Sequence, residues 1–175
     1  MFFPTISLMS ALLLAEAAIG AESSPRRACY DETTALHCYS GEFDVPQEVD
    51  AADVTFVAAY LRAYGRETRS GRLLTMTSQT APDCGEWSLY ARGTAMAVAK
   101  KINMTYDSAV LFEDVANTID GGTGAIRRSG LYRCATDGGS LGVQVNTTAA
   151  AYSLPAYVAA GYKPEGIIVK IVANL

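Results

Sequence analysis

Two stretches of the chain carry apolar residues at the spacing of an amphipathic helix. The first begins at Asp50, a residue type that caps helix N-termini, has a second acid at Asp53 in its first turn, and stops at Gly65. Its apolar positions repeat every three or four residues and comprise Val54, Val57, Leu61 and Tyr64. The pattern predicts a helix whose apolar stripe packs in the core.

The second helical stretch lies between two cysteines, Cys84 and Cys134. Its apolar face comprises Leu111, Val115 and Ile119 at positions i, i+4 and i+8, with Ser108 and Phe112 beside them. Asp107 is the predicted N-cap, and the glycines at 121 and 122 are the predicted stop. The adjacent acids at 113 and 114 diverge by about 100° around a helix, so we expect them to face solvent rather than act together.

Alternating and β-branched runs predict strands around these helices. Residues 72–78 and 86–91 are expected to pair as a hairpin through a turn at Pro82 and Asp83. Residues 93–102 are rich in alanine, which favours a helix, but their alternation favours a strand. The alternation decides the prediction, which is a third strand.

The C-terminal part is expected to contribute a second hairpin and an interior strand. Residues 131–136 and 141–146 flank the turn signal at 137–140. Residues 147–162 are interpreted as a loop or a broken helix, and the apolar run 167–173 has the composition of a buried strand. The order predicts an α+β fold, with an antiparallel sheet of about four to five strands covered on one face by two helices.

The first twenty residues are typical of a secretory signal peptide. An apolar run spans residues 8–15, and Ala18 and Gly20 occupy the −3 and −1 positions of a cleavage site. The run is shorter than the roughly 18 apolar residues of a membrane anchor. We therefore expect a secreted, extracellular protein.

A dibasic pair, Arg26 and Arg27, follows the predicted signal peptide. A processing protease acting on this polar segment would remove a propeptide over residues 21–27. An equally good interpretation is a solvated basic pair in a flexible N-terminus. The remaining residues, 28–175, fit a single domain.

The four cysteines, Cys29, Cys38, Cys84 and Cys134, all lie in that predicted mature chain. An even number in a secreted protein predicts two disulfides. We expect Cys84 to pair with Cys134, because both lie at the edges of the unit around the second helix, which leaves Cys29 with Cys38. A nearly equal alternative joins an N-terminal cysteine to one of the other two. No Cys/His spacing suggests a metal site, and no cofactor is expected.

The net charge argues against a nucleic-acid-binding protein, and two sequons predict a glycoprotein. With 14 basic and 18 acidic residues, the net charge is −4 and gives no electrostatic footprint for nucleic acid. Asn103 and Asn146 begin N-x-T sequons and are predicted glycosylation sites in a eukaryotic host.

Candidate catalytic chemistry is sparse in the sequence. The single histidine, His37, lies next to Cys38, where a surface residue flanking a disulfide is the simpler interpretation. A small ribonuclease-like hydrolase, built from His37, Glu42 and an arginine, is the alternative. No G-x-S-x-G elbow is present. We therefore expect no catalytic residues and no enzyme activity.

Two other groups are candidate binding features. The arginines Arg62, Arg66, Arg69 and Arg72 end the first helix and follow it. Such charges complement the helix dipole, and the alternative is a site for an anionic lipid or polysaccharide. The tyrosines Tyr152, Tyr157 and Tyr162 recur every five residues. We expect them to pack in the core, with a sugar-stacking or protein-binding surface as the alternative.

The unit SAVLFEDVANTID, followed by GLYRC and LGVQVN, resembles small secreted fungal effector proteins. The nearest group is the necrosis-inducing extracellular effectors together with the killer-toxin-like α/β sandwiches. The similarity covers residues 84–146, and Cys84 and Cys134 match the family cysteines that bracket the helix. The resemblance implies a non-enzymatic virulence or toxin-like protein that acts on a receptor, membrane or cell-wall component of a host or competitor cell. The differently spaced N-terminal cysteines and the tail 152–175 depart from this pattern.

Overall fold

The computed structural model describes residues 32–82, 85–122 and 130–175. Its seven strands are β1 His37–Cys38, β2 Leu73–Met76, β3 Glu86–Arg92, β4 Ala95–Lys101, β5 Ser108–Leu111, β6 Gly139–Gly142 and β7 Ile167–Ala173. Five of them form an antiparallel sheet in the order β1-β6-β7-β4-β3, and β2 pairs with β5 in a separate antiparallel sheet. The predicted α+β class and the number of strands are confirmed.

Three α-helices accompany the sheets: α1 Ala51–Arg66, α2 Phe112–Asp120 and α3 Pro155–Ala159. Short 3-10 segments cover Leu131–Asp137 and Ala150–Ser153. Helices α1 and α2 pack against each other, α1 contacts β3 and β4, and α2 contacts β7. Within the described residues, no helix is long and apolar enough to cross a bilayer.

The start of α1 follows the prediction and is tied to the sheet. The Asp50 carboxylate accepts from the backbone N–H groups of Ala52 and Asp53, as an N-cap does. The Asp53 carboxylate accepts from the Thr94 N–H at 2.8 Å, which attaches the helix start to the turn between β3 and β4. Gly93 has φ +51, and a Cβ there would collide with Asp53, so this turn requires glycine.

The second helix begins four residues later than predicted. Residues 108–111 form β5, because they pair with β2, and the helix starts only at Phe112. Asp107 is not an N-cap: its carboxylate accepts from the Ser78 N–H at 2.8 Å. The predicted stop is correct, since Gly121 closes the helix in the left-handed conformation.

Two predicted hairpins are wrong. β2 pairs with β5 and β3 pairs with β4, so residues 72–78 and 86–91 do not pair with each other. Residues 131–136 form a 3-10 segment rather than a strand, because the buried Leu131 and Cys134 lie three residues apart, at one turn of such a helix. By contrast, the predicted strands 93–102 and 167–173 and the broken helix in 147–162 are confirmed.

The disulfide of the described chain joins Cys38 to Cys134, with a Cα–Cα distance of 5.1 Å. The preferred pairing of Cys84 with Cys134 and of Cys29 with Cys38 is therefore wrong, and the alternative that ties the N-terminal segment to the core is correct. Cys38 lies opposite Gly139 in the sheet, where a side chain would meet the Cys134 sulfur at 2.9 Å. Cys29 and Cys84 lie outside the described residues.

Candidate binding cleft

A cleft of about 580 Å³ opens between α1, β2, β3 and the start of α2. Helix α1 contributes Leu61 and two tyrosines, and each strand contributes three consecutive residues. The aromatic residues of the lining are Tyr60, Tyr64, Trp87 and Phe112. The cleft is open to solvent, and its lining is mostly apolar with a few hydroxyl groups.

One wall of the cleft continues into an exposed row of aromatic side chains, here called the aromatic ridge: Phe56, Tyr60, Tyr64 and Tyr90. The first three recur every four residues on α1 and so share one face of the helix. Phe56 is 45% exposed and Tyr60 41% exposed. Tyr64 and Tyr90 are partly buried, and Tyr90 packs against the core, so the exposed part of the ridge consists of Phe56 and Tyr60.

The rings of the ridge hold one another in place. The Tyr60 ring stacks on Tyr90 with centroids 3.6 Å apart, and the Phe56 ring stacks on Tyr90 with centroids 6.4 Å apart. Tyr64 meets the edge of Phe112 at 5.0 Å. Because stacked rings have lost their freedom before a ligand arrives, binding to them costs less conformational entropy.

Two guanidinium groups border the ridge. The Arg92 guanidinium carbon lies 4.9 Å from the centre of the Phe56 ring, and that of Arg72 lies 3.9 Å from the centre of the Tyr64 ring. These are cation–π distances. The arginines therefore help to orient the rings at both ends of the row.

Lys101 ties the two sheets together behind the cleft lining of β2. Its side chain is fully buried, and its Nζ donates to the carbonyl oxygen of Met76 at 3.0 Å, to that of Tyr106, and to the Ser108 hydroxyl at 3.4 Å. Burial lowers the pKa of this lysine. Because Lys101 ends β4 while Met76 and Ser108 belong to β2 and β5, this one ammonium group joins the two sheets.

Of the four candidate arginines, the structure places three in internal ion pairs. Arg62 pairs with Asp120 at 2.7 Å, and Arg66 pairs with Glu113. Both of these link α1 to α2. Arg72 pairs with Glu67 at 2.7 Å, and Arg69 is exposed. Three of the four guanidinium groups therefore have carboxylate partners within the chain, and the site for an anionic lipid or polysaccharide stays a prediction.

His37 has a carboxylate partner, but it is not the one that the hydrolase alternative uses. Its Nε2 lies 2.9 Å from Asp44 Oδ2, and this hydrogen bond lowers the pKa of Asp44. Glu42 is exposed nearby in sequence and takes no part in the pair. Within the described residues, no group of three or more His, Cys, Asp or Glu side chains is placed to hold a metal ion.

The tail tyrosines pack internally, as the simpler interpretation predicted. The Tyr152 hydroxyl donates to Asp114 at 2.5 Å and accepts from the Leu111 N–H at 2.8 Å. The Tyr157 hydroxyl donates to the Ala109 carbonyl at 2.9 Å, and burial raises the pKa of Tyr157 to about 12. The rings of 152, 157 and 162 meet edge to face. Tyr157 is buried and Tyr152 and Tyr162 are partly buried, so the three rings act mainly as packing groups.

The two sequons have the same local geometry. At both Asn103 and Asn146, the threonine two residues later donates its hydroxyl to the asparagine Oδ1 at 2.7 Å. Asn146 is exposed and Asn103 is partly buried. The predicted signal peptide and the dibasic pair Arg26 and Arg27 lie outside the described residues.

No protein-family model, curated protein or solved structure matches this chain. The geometry of the cleft therefore carries the functional argument. Sequence reasoning missed this site, although one signal was present: Phe56, Tyr60 and Tyr64 lie at i, i+4 and i+8 beside the apolar stripe of α1. Nothing local in the sequence places Trp87 and Tyr90 next to them.

Proposed function

We propose that this is a secreted effector or toxin-like protein, which acts without catalysis by recognising a component of a host or competitor cell. The observation that carries the proposal is the aromatic ridge beside the cleft. Large aromatic side chains that are exposed, yet already ordered by stacking, are typical of interaction surfaces. A disulfide between Cys38 and Cys134 is compatible with the predicted secretion.

The experiment that tests this function measures binding of the labelled mature chain to intact plant, fungal and animal cells. We expect saturable binding to at least one cell type and its loss in Tyr60→Ala and in Trp87→Ala. The matched control is Phe43→Ala, because Phe43 is 93% exposed but lies in the N-terminal loop, away from the cleft. Equal binding by wild-type and Tyr60→Ala chains would contradict the proposal.

The hydrolase alternative is tested on the same preparations with RNA and polysaccharide substrates. Turnover at enzymatic rates that Tyr60→Ala retains and His37→Ala abolishes would favour the hydrolase and overturn the non-enzymatic proposal. The pairing of His37 with Asp44 makes this replacement informative, because a carboxylate partner orients an imidazole that acts as a base.

A carbohydrate- or cell-wall-binding function is the second candidate, and the aromatic ridge favours it as well, because sugar rings stack on exposed aromatic faces. Retention on chitin or glucan, lost in Tyr60→Ala, would support this function. The tail tyrosines provide the control: Tyr162→Phe keeps a ring that packs against Tyr157, so it is expected to leave retention unchanged.

A further inference from the structure

We propose that the cleft binds an extended peptide segment of its partner protein, which adds as a strand between β2 and β3. This inference rests on the proposed function, because it names the ligand class of the same surface. The bound segment would join the two sheets of the molecule into one.

Strands β2 and β3 both border the cleft. The lining includes three consecutive residues of β2, at 73–75, and three consecutive residues of β3, at 87–89. Successive side chains of a strand point to opposite faces of its sheet. Three in a row therefore indicate a space along the edge of the strand, and in β3 the register shift between Ser88 and Tyr90 breaks the alternation near the third of them. The cleft is therefore bordered by two strand edges.

Within the described residues, both edges lack a neighbouring strand. β3 is the last strand of the five-stranded sheet, and β2 pairs with β5 alone among the described strands. Apart from those two ladders, no backbone hydrogen bond from another described element reaches residues 73–75 or 87–89. An unpaired edge presents alternate N–H and C=O groups. Only an extended backbone can satisfy both rows at once, and this favours a peptide over a sugar.

The lining and the strand lengths set the residue pattern and the length of the bound segment. Leu61, Tyr64 and Phe112 form the apolar lining between the edges. Side chains that alternate toward this lining should be apolar, with polar residues between them. β2 is four residues long, so it can pair with about 13 Å of strand. The register shift between Ser88 and Tyr90 interrupts β3 and limits pairing along the other edge.

The chain carries its own reporter for such binding. Its single tryptophan, Trp87, lies in the cleft and is partly buried, so its fluorescence should respond to a strand laid beside it. The probe is a phage-displayed library of random heptapeptides, selected on the wild-type chain and counter-selected on Tyr60→Ala. Selected peptides are synthesised, and the Trp87 fluorescence gives their affinity.

Two measurements then decide whether binding is by strand addition, and neither requires a variant that must fold. One is N-methylation of alternate peptide nitrogens, which removes backbone donors. We expect affinity to fall by about tenfold or more in one of the two alternating series. The other is hydrogen exchange of the protein, in which bound peptide should slow exchange of residues 73–75 and 87–89.

The outcomes separate this inference from the proposed function. Peptides that bind with no response to N-methylation, or with slowed exchange elsewhere, would overturn strand addition. Failure to select any peptide, with loss of cell binding in Tyr60→Ala, would also overturn it while the recognition function stands. Chitin or glucan binding in the cleft, or dimerisation of the chain through β2 and β3, would assign the surface to a different occupant.

Discussion

The aromatic ridge and the tyrosine-rich tail look alike in sequence and differ in use. Three of the four ridge residues recur every four residues along α1, and the tail tyrosines recur every five. In the tail, the Tyr152 hydroxyl donates a hydrogen bond to Asp114, and the Tyr157 hydroxyl donates one to a carbonyl of β5. In the ridge, Phe56 and Tyr60 remain more than 40% exposed, and both rings stack on Tyr90.

The comparison shows what distinguishes a structural aromatic from a binding one. A buried hydroxyl needs a partner, and once it has one, the side chain is part of the scaffold. An exposed stacked ring has given up its freedom without gaining a core contact, so its surface is available to a ligand. Replacements in the tail should therefore change stability, and replacements in the ridge should change binding.

The largest expected effect is at the centre of the tail. Tyr157 is 6% exposed, and its replacement in Tyr157→Ala removes a buried ring and its hydrogen bond to Ala109. We expect the free energy of unfolding to fall by about 3–5 kcal/mol. Urea denaturation followed by circular dichroism measures this loss. A loss of less than about 1 kcal/mol, which is the size expected for a ridge residue, would remove the distinction between the two regions.

A smaller effect isolates the hydroxyl groups of the tail. Tyr152→Phe keeps the ring but removes the hydroxyl donor of the Asp114 carboxylate, which is 2% exposed and keeps a backbone hydrogen bond from Asn146. We expect a loss of about 2 kcal/mol, because a hydrogen bond to a carboxylate contributes more than one between neutral groups. The comparison variant is Tyr157→Phe, which strips only a neutral carbonyl acceptor and should cost about 1 kcal/mol.

Asp114 beside the tail and Asp53 beside the ridge should make the stability of the fold depend on pH in opposite directions. Burial raises the pKa of Asp114 beside the tail, so the folded chain holds this proton more tightly than the unfolded chain. Its contribution favours folding at low pH and is lost as pH rises above the ordinary carboxyl value toward the raised one. Hydrogen bonds from Thr94, the backbone one first, lower the pKa of Asp53 beside the ridge. The contribution of Asp53 is present above the ordinary value and is lost as pH falls through the lowered one.

Denaturation of Asp114→Asn and Asp53→Asn between pH 3 and pH 7, a range chosen to span the ordinary carboxyl pKa of about 4, measures these slopes. The free energy of unfolding of Asp114→Asn should rise relative to that of the wild type as pH rises. The free energy of unfolding of Asp53→Asn should fall relative to that of the wild type over the same pH range. Slopes of the same sign would show that the two acids do not differ as their contacts indicate.

The smallest expected effect on stability is in the ridge itself. Tyr60 is 41% exposed and its contacts are with other ridge rings, so Tyr60→Ala should lower the free energy of unfolding by less than about 1 kcal/mol. Thermal and urea denaturation beside Phe43→Ala check this value. A loss comparable to that of Tyr157→Ala would make the ridge part of the scaffold.

The sequence predicted the elements better than their partners. Local signals located α1 from Asp50 to its last turn, the strand 93–102 and the interior strand 167–173, because caps and alternation depend only on neighbouring residues. Pairing is not local: β2 leaves the expected hairpin because residues 108–111 bind it instead. The same choice delays α2 and opens the cleft between β2 and β3.

Burial of polar groups was also beyond local reasoning. Asp114 was expected to face solvent beside Glu113, but it is 2% exposed because Tyr152, 38 residues later, donates to it. Cys38 reaches Cys134 across 96 residues for a similar reason, since β1 pairs with β6. Such contacts depend on how the elements pack, and so the sequence pattern did not contain them.

Binding of the Tyr60→Ala chain to a responding cell type is the measurement that tests the central claim most directly, because this variant is expected to stay folded. The account predicts that affinity falls by about tenfold or more, while Phe43→Ala binds like the wild type. Unchanged affinity in a folded Tyr60→Ala chain would contradict the assignment of recognition to the aromatic ridge and its cleft.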